Sequence, residues 1–133
     1  MNPFDDIEGS LKAILSGQVE QVIFAYLFGS HSRATDAYRP RDIDLAVYFE
    51  ERNGVSYLEA KLNLYSVLNR ALNINDIDIL VMNTARNLVL LEEIIRNGIL
   101  LIDKDRDLRE NFEHRILHLA LDFKSQRAAI IGV

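Results

Sequence analysis

The sequence predicts an α+β (α/β) fold, a small mixed β-sheet of about four strands with helices packed on one face. Three observations carry that reading. Apolar runs of strand character alternate with apolar residues at helical spacing along the chain. The first two strands are joined by Gly29 to Arg41, a stretch rich in turn formers and too short for a helical crossover, which argues for a mixed sheet. No repeat, low-complexity tract or linker interrupts the pattern, so residues 1–133 are expected to form a single domain.

Each element follows from local chemistry. Phe4, Ile7, Leu11, Ile14 and Leu15 recur at helical spacing and Gly17 follows as a stop, giving a short amphipathic helix. Val19 to Phe28, rich in Val, Ile, Phe and Tyr, reads as a buried strand, and Asp42 to Phe49 as its neighbour after the loop. Beyond the Asn53-Gly54 turn, Val55, Leu58, Leu62, Tyr65, Leu68 and Leu72 predict a second helix. Asp76 to Met82 is the third strand. Asn83 or Thr84 can cap a third helix running through Leu88, Leu91, Ile94 and Ile95 to a stop at Asn97-Gly98. Ile99 to Ile102 is a short strand, and Leu108, Phe112, Ile116, Leu119 and Phe123 mark a long last helix starting after Asp105.

Composition narrows the chemistry. A chain of 133 residues with 49% hydrophobic content can bury one core. Its 15 Lys and Arg against 20 Asp and Glu leave a net charge of −5, so direct nucleic-acid binding is not expected. Without cysteine there are no disulfides, thiolate metal sites or cysteine nucleophiles, and oxygen and nitrogen groups must do the work. The acidic start carries no basic segment ahead of a long apolar stretch, and the longest apolar run, Val22 to Phe28, is too short to span a bilayer. A cytoplasmic protein with no membrane association is expected.

The informative pattern is Gly29-Ser30 closing one apolar run and Asp42-Ile43-Asp44 opening the next. In an extended strand alternate side chains share a face, so Asp42 and Asp44 point together while Ile43 and Leu45 turn to the core. Two carboxylates on one face repel unless a cation sits between them. Mg²⁺ suits such a pair, because it prefers hard oxygen ligands and is usually held by one or two carboxylates with substrate phosphates. In Asp76-Ile77-Asp78-Ile79 the alternation repeats. Asp78 lies deeper in the apolar run, where a carboxylate needs a partner to offset desolvation, so it is the preferred third acid with Asp76 its competitor.

These residues resemble the nucleotidyltransferases of the polymerase beta-like superfamily. The resemblance rests on Leu27-Phe28-Gly29-Ser30, then Arg33, then Asp42-Ile43-Asp44-Leu45, then Asp78. Gly-Ser alone is an ordinary turn; with both acid sites following in order it is a specific signal. The short chain is most similar to the minimal nucleotidyltransferases, many of them antitoxins encoded beside HEPN-type toxins. The resemblance implies a polymerase beta-like nucleotidyltransferase fold, with Asp42, Asp44 and Asp78 as catalytic and metal-binding residues for two Mg²⁺ ions. It implies that Gly29, Ser30 and Arg33 bind the nucleotide, with ATP as substrate. Two metals about 4 Å apart would then stabilise attacking and leaving oxygens of an in-line displacement. It further implies a protein adenylyltransferase that places AMP on a tyrosine of the cognate HEPN-type ribonuclease toxin, in a hetero-oligomer with it. The family stretch Gly-Ser-x-Ala-Arg-Gly is Gly29-Ser30-His31-Ser32-Arg33-Ala34 here, so the second glycine is replaced.

Two rival readings stand beside it: a catalytically silent antitoxin that acts by steric binding, and a nucleotidyltransferase acting on a small-molecule hydroxyl. Clustered acids disfavour the first, and the little chain left after Ile102 for a substrate-binding domain disfavours the second. His31 is read as a solvent-facing loop residue, and Arg39 and Arg41 as surface charges beside the acid pair. His114 and His118 share a helix face without a surrounding zinc motif and are read as structural or interfacial. Tyr57 and Tyr65 are read as core or partner-surface groups.

Overall fold

The computed structural model describes residues 7–17, 19–29 and 43–130. The elements in chain order are α1 (Ile7–Gly17), β1 (Val22–Phe28), β2 (Ile43–Phe49), α2 (Tyr57–Leu72), β3 (Ile77–Val81), α3 (Leu88–Asn97), β4 (Ile99–Asp103) and α4 (Arg106–Ile130). The strands form one sheet in the order β3-β2-β1-β4. β1 runs antiparallel to both β2 and β4, and β2 runs parallel to β3 through the α2 crossover. The sheet is mixed, as the short first connection predicts.

Helices cover both faces, where the sequence pattern predicts helices on one. On one side, Ala25, Leu27, Leu45, Val47, Ile77 and Ile79 pack against Leu11 and Leu15 of α1 and Leu64 and Leu68 of α2. On the other, Phe24, Tyr26 and Ala46 meet Leu91 and Ile94 of α3 and Phe112 and Ile116 of α4. The physical reason lies in β1 itself: Val22-Ile23-Phe24-Ala25-Tyr26-Leu27-Phe28 is apolar at odd and even positions alike, and such a strand is stable only when both faces are covered.

The second layer is aromatic and ionic. Phe24 stacks on Tyr48 with ring centroids 4.8 Å apart, and Phe112 of α4 meets both at 5.7 and 5.3 Å. The Tyr26 hydroxyl donates to Glu113 Oε2 at 2.8 Å, Arg109 donates to the other oxygen of Glu113, and Arg109 Nε donates to Asp103 Oδ2 at 2.7 Å. These linked bonds tie α4 to β1 and β4. Burial, and then the Glu113 carboxylate beside it, hold the Tyr26 phenol protonated well above its ordinary range.

Three local expectations are corrected. α2 buries Ala60, Leu64 and Leu68, leaving Leu58 and Leu62 at 64% and 56% exposure, so the core stripe is rotated from the one the leucine spacing suggests. α3 is capped by Asn87, whose side chain accepts from Leu90 N at 3.1 Å, not by Asn83 or Thr84. Asn83 instead pins the end of β2, accepting from Phe49 N and donating to Phe49 O, both at 2.9 Å. Gly98 ends α3 with φ −71°, outside the left-handed region, and is needed for space: a Cβ there would press on the Ile94 carbonyl oxygen. On α4, Phe112, Ile116 and Ala120 are buried while Leu119 and Phe123 are exposed. Among the described residues no helix is long and apolar enough to cross a membrane.

Candidate active site

The site forms where three strands end side by side. β1 closes at Phe28, and Gly29 turns the chain with φ +73°, a left-handed conformation that residues with a Cβ adopt only under strain. Phe28 is paired with Asp44 across the antiparallel ladder, and Asp44 with Asp78 across the parallel one. Phe28, Asp44 and Asp78 therefore lie in a row across β1, β2 and β3, with Gly29 directly after Phe28. Neighbouring strands are about 4.8 Å apart, so the two acids sit on adjacent backbones at matched positions. By alternation with Ala46 and Leu80 both side chains leave the sheet on the side of α3 and α4.

Gly29, which follows the residue paired with Asp44, also lies against the Asp44 side chain. A Cβ built on Gly29 would overlap Asp44 Oδ2. The glycine thus meets two needs, a left-handed turn and room for a carboxylate against its backbone. Asp44 is half-buried and Asp78 exposed on the edge strand. The desolvation argument that selects Asp78 over Asp76 does not apply to an exposed group; what distinguishes Asp78 is its pairing with Asp44. Asp76 precedes β3, is exposed, and accepts a hydrogen bond from Ile43 N at its carbonyl, at 2.8 Å.

Asp42, Ser30, Arg33, His31, Arg39 and Arg41 lie outside the described residues. Among the described residues no group of three acids or histidines gathers as a metal site, and the described part of the acid set is the Asp44–Asp78 pair. His114 and His118 are exposed on α4, remote in sequence from this sheet end. The donors fit a hard divalent cation, since two carboxylates offer oxygen ligands from adjacent strands and a like-charged pair is relieved by a cation between them.

Beside the acids a groove of about 500 Å³ runs along the β3 edge, lined by Asp44 and Asp78 with Lys61, Leu62 and Tyr65 of α2 and Leu90 of α3. The α2–β3 connection is held by side chains. Tyr65 Oη donates to Asn75 O at 3.0 Å, and Asn69 Nδ2 donates to Ile74 O and Asn75 Oδ1 at 2.9 and 2.8 Å. These bonds fix the α2 wall relative to Asp78. Lys61 carries no signal in the sequence, since a single lysine on a helix has no motif to mark it.

The model of the family described as polymerase beta, nucleotidyltransferase, matches residues 10–107, well over half of the chain. The chain belongs to this family. Solved structures share the fold over nearly its whole length. A toxin–antitoxin complex with AMP-PNP has a chain that superposes with TM-score 0.70 at 24% identity, over 95% of this chain and 96% of that one. The complex of a tri-AMPylated Shewanella oneidensis HEPN toxin with an MNT antitoxin gives 0.67 at 24% identity, covering 97% and 96%. A variant of an MntA-containing toxin–antitoxin pair gives 0.69 at 26% identity, covering 94% of each chain. No curated protein matches this sequence.

Proposed function

We propose that this protein is the antitoxin of a toxin–antitoxin pair, a Mg²⁺-dependent nucleotidyltransferase that moves AMP from ATP to a tyrosine of a HEPN-type ribonuclease toxin and so neutralises it. The observation that carries the reading is the placement of Asp44 on β2 between the Gly29 turn that follows β1 and Asp78 on β3. Toxin–antitoxin complexes among the structures sharing the fold, one with AMP-PNP and one with a tri-AMPylated HEPN toxin, support the choice of nucleotide and acceptor.

In this mechanism the backbone at Gly29, with Ser30 and Arg33, binds the β- and γ-phosphates, glycine permitting close approach of N–H groups. Asp42, Asp44 and Asp78 would hold two Mg²⁺ ions. The ions, when bound, would neutralise phosphate charge and polarise the α-phosphoryl group. The tyrosine oxygen forms a bond to the α-phosphorus as the bond from that phosphorus to the bridging oxygen breaks, and pyrophosphate leaves. Asp78, exposed at the edge, would accept the phenol proton. Positioning and charge complementarity do the catalysis.

Incubation with Mg²⁺, ATP labelled at the α-phosphate and its HEPN partner tests the proposal. Label should appear on the partner, and addition of EDTA should abolish it. A stable complex that stays unlabelled would replace this reading with a steric antitoxin; label on an added aminoglycoside-like hydroxyl compound alone would replace it with small-molecule transfer.

A further inference from the structure

We propose that the groove along the β3 edge is the acceptor subsite, taking a tyrosine side chain presented by an exposed segment of the partner protein, with Lys61 as its positioning residue. The inference rests on the nucleotidyl-transfer reading and adds where, and against what, the acceptor binds.

The spatial order of the site carries it. From the sheet interior outward come the Gly29 turn, Asp44 and Asp78; the groove is lined by Phe28, Asp44 and Asp78 and extends past Asp78 to Lys61, Leu62 and Tyr65 of α2, and this α2 end is the acceptor side. An in-line displacement requires the attacking oxygen opposite the leaving group. With the phosphate tail at the Gly29 turn, pyrophosphate departs on the β1 side and the acceptor approaches from the Asp78 side. β3 is the edge of the sheet, so nothing in the sheet blocks that approach.

The groove has the chemistry of an aromatic hydroxyl site. At about 500 Å³ it is in the usual range for a pocket that takes a ligand group, and Leu62, Tyr65 and Leu90 give it apolar walls for a ring. Lys61 supplies a cation. It is half-buried and forms no hydrogen bond or ion pair with the described residues, although two carboxylates line the same groove. A cation in that wall complements an oxygen that becomes negative as its proton leaves. The apolar surface also continues outside. Leu58 and Leu62, one turn apart on α2 and 64% and 56% exposed, extend the groove wall into a rim for residues flanking the acceptor tyrosine.

The test is steady-state transfer to the intact partner with partner and ATP varied separately, alongside calorimetric binding of Mg·AMP-PNP. Lys61→Ala should lower kcat/KM for the partner by about tenfold or more, the scale of one charge-assisted contact. Its AMP-PNP affinity should match wild type, and Lys61→Arg should recover most of the loss. Leu62→Asp, at an exposed position with a melting temperature near wild type, should raise KM for the partner without changing KM for ATP. Weakened AMP-PNP binding in these variants would make the groove a nucleotide subsite and overturn the proposal. Unchanged kinetics in both, with wild-type protein active, would make Lys61 and Leu62 ordinary surface residues and also overturn it. Absence of transfer by the wild-type protein would instead remove the underlying transfer reading.

Discussion

Asp44→Asn is expected to lower nucleotidyl transfer about 10³-fold or more in kcat/KM, the scale on which one preorganised charge-stabilising group acts. The fold should survive. Asp44 is placed by main-chain ladders to Phe28 and Asp78, which an asparagine of the same shape retains. Removing one of two like charges at paired positions also relieves repulsion across the β2–β3 ladder, which offsets the weaker acceptor strength of an amide in place of the carboxylate. Stability should therefore change by less than about 1 kcal/mol. Labelled-ATP transfer and a thermal melt on the same preparation check both halves. Retained turnover would remove Asp44 from the chemistry, and a collapsed melt would make it a structural residue.

Gly29→Ala should be the second most damaging change, by a different route. An alanine at φ +73° costs about 1–2 kcal/mol in backbone strain. Its methyl group would also occupy the space of Asp44 Oδ2. Either the turn opens or the carboxylate rotates, and either motion displaces groups that must be placed to within an ångström, so transfer should fall roughly 10²-fold. The melting temperature should drop by several degrees, since about 1 kcal/mol is worth roughly 4 °C in a domain of this size. Wild-type transfer rates in Gly29→Ala would mean that neither the turn nor its contact with Asp44 matters to the reaction.

The strands, the long last helix and the mixed sheet are legible in apolar runs and the short Gly29–Arg41 connection, because burial period and loop length are local properties. What failed needed tertiary information. The apolar content of β1 on both faces already implied two covering layers, yet which helices supply them depends on packing. α2 carries more leucines than its buried stripe uses, so its periodicity alone could not tell the core stripe of Ala60, Leu64 and Leu68 from the exposed Leu58 and Leu62. Asn83 and Asn87 are both able to cap a helix, and only the position of β2 decides that Asn83 bonds Phe49 instead. At the site, alternation placed each acid on a face, but the pairing of Asp44 with Asp78 is a matter of parallel register across a sixteen-residue helix. Lys61 gains its meaning only from the packing that makes α2 a wall of the groove.

Metal placement tests the central claim most directly. Crystals of the protein grown with Mn²⁺ and AMP-PNP, measured at the manganese edge, would locate the cation by anomalous scattering. The expected result is a peak bridging the Asp44 and Asp78 carboxylates at about 2.0–2.2 Å, with the phosphate tail at the Gly29 backbone. A nucleotide bound elsewhere, or manganese away from both carboxylates, would contradict it.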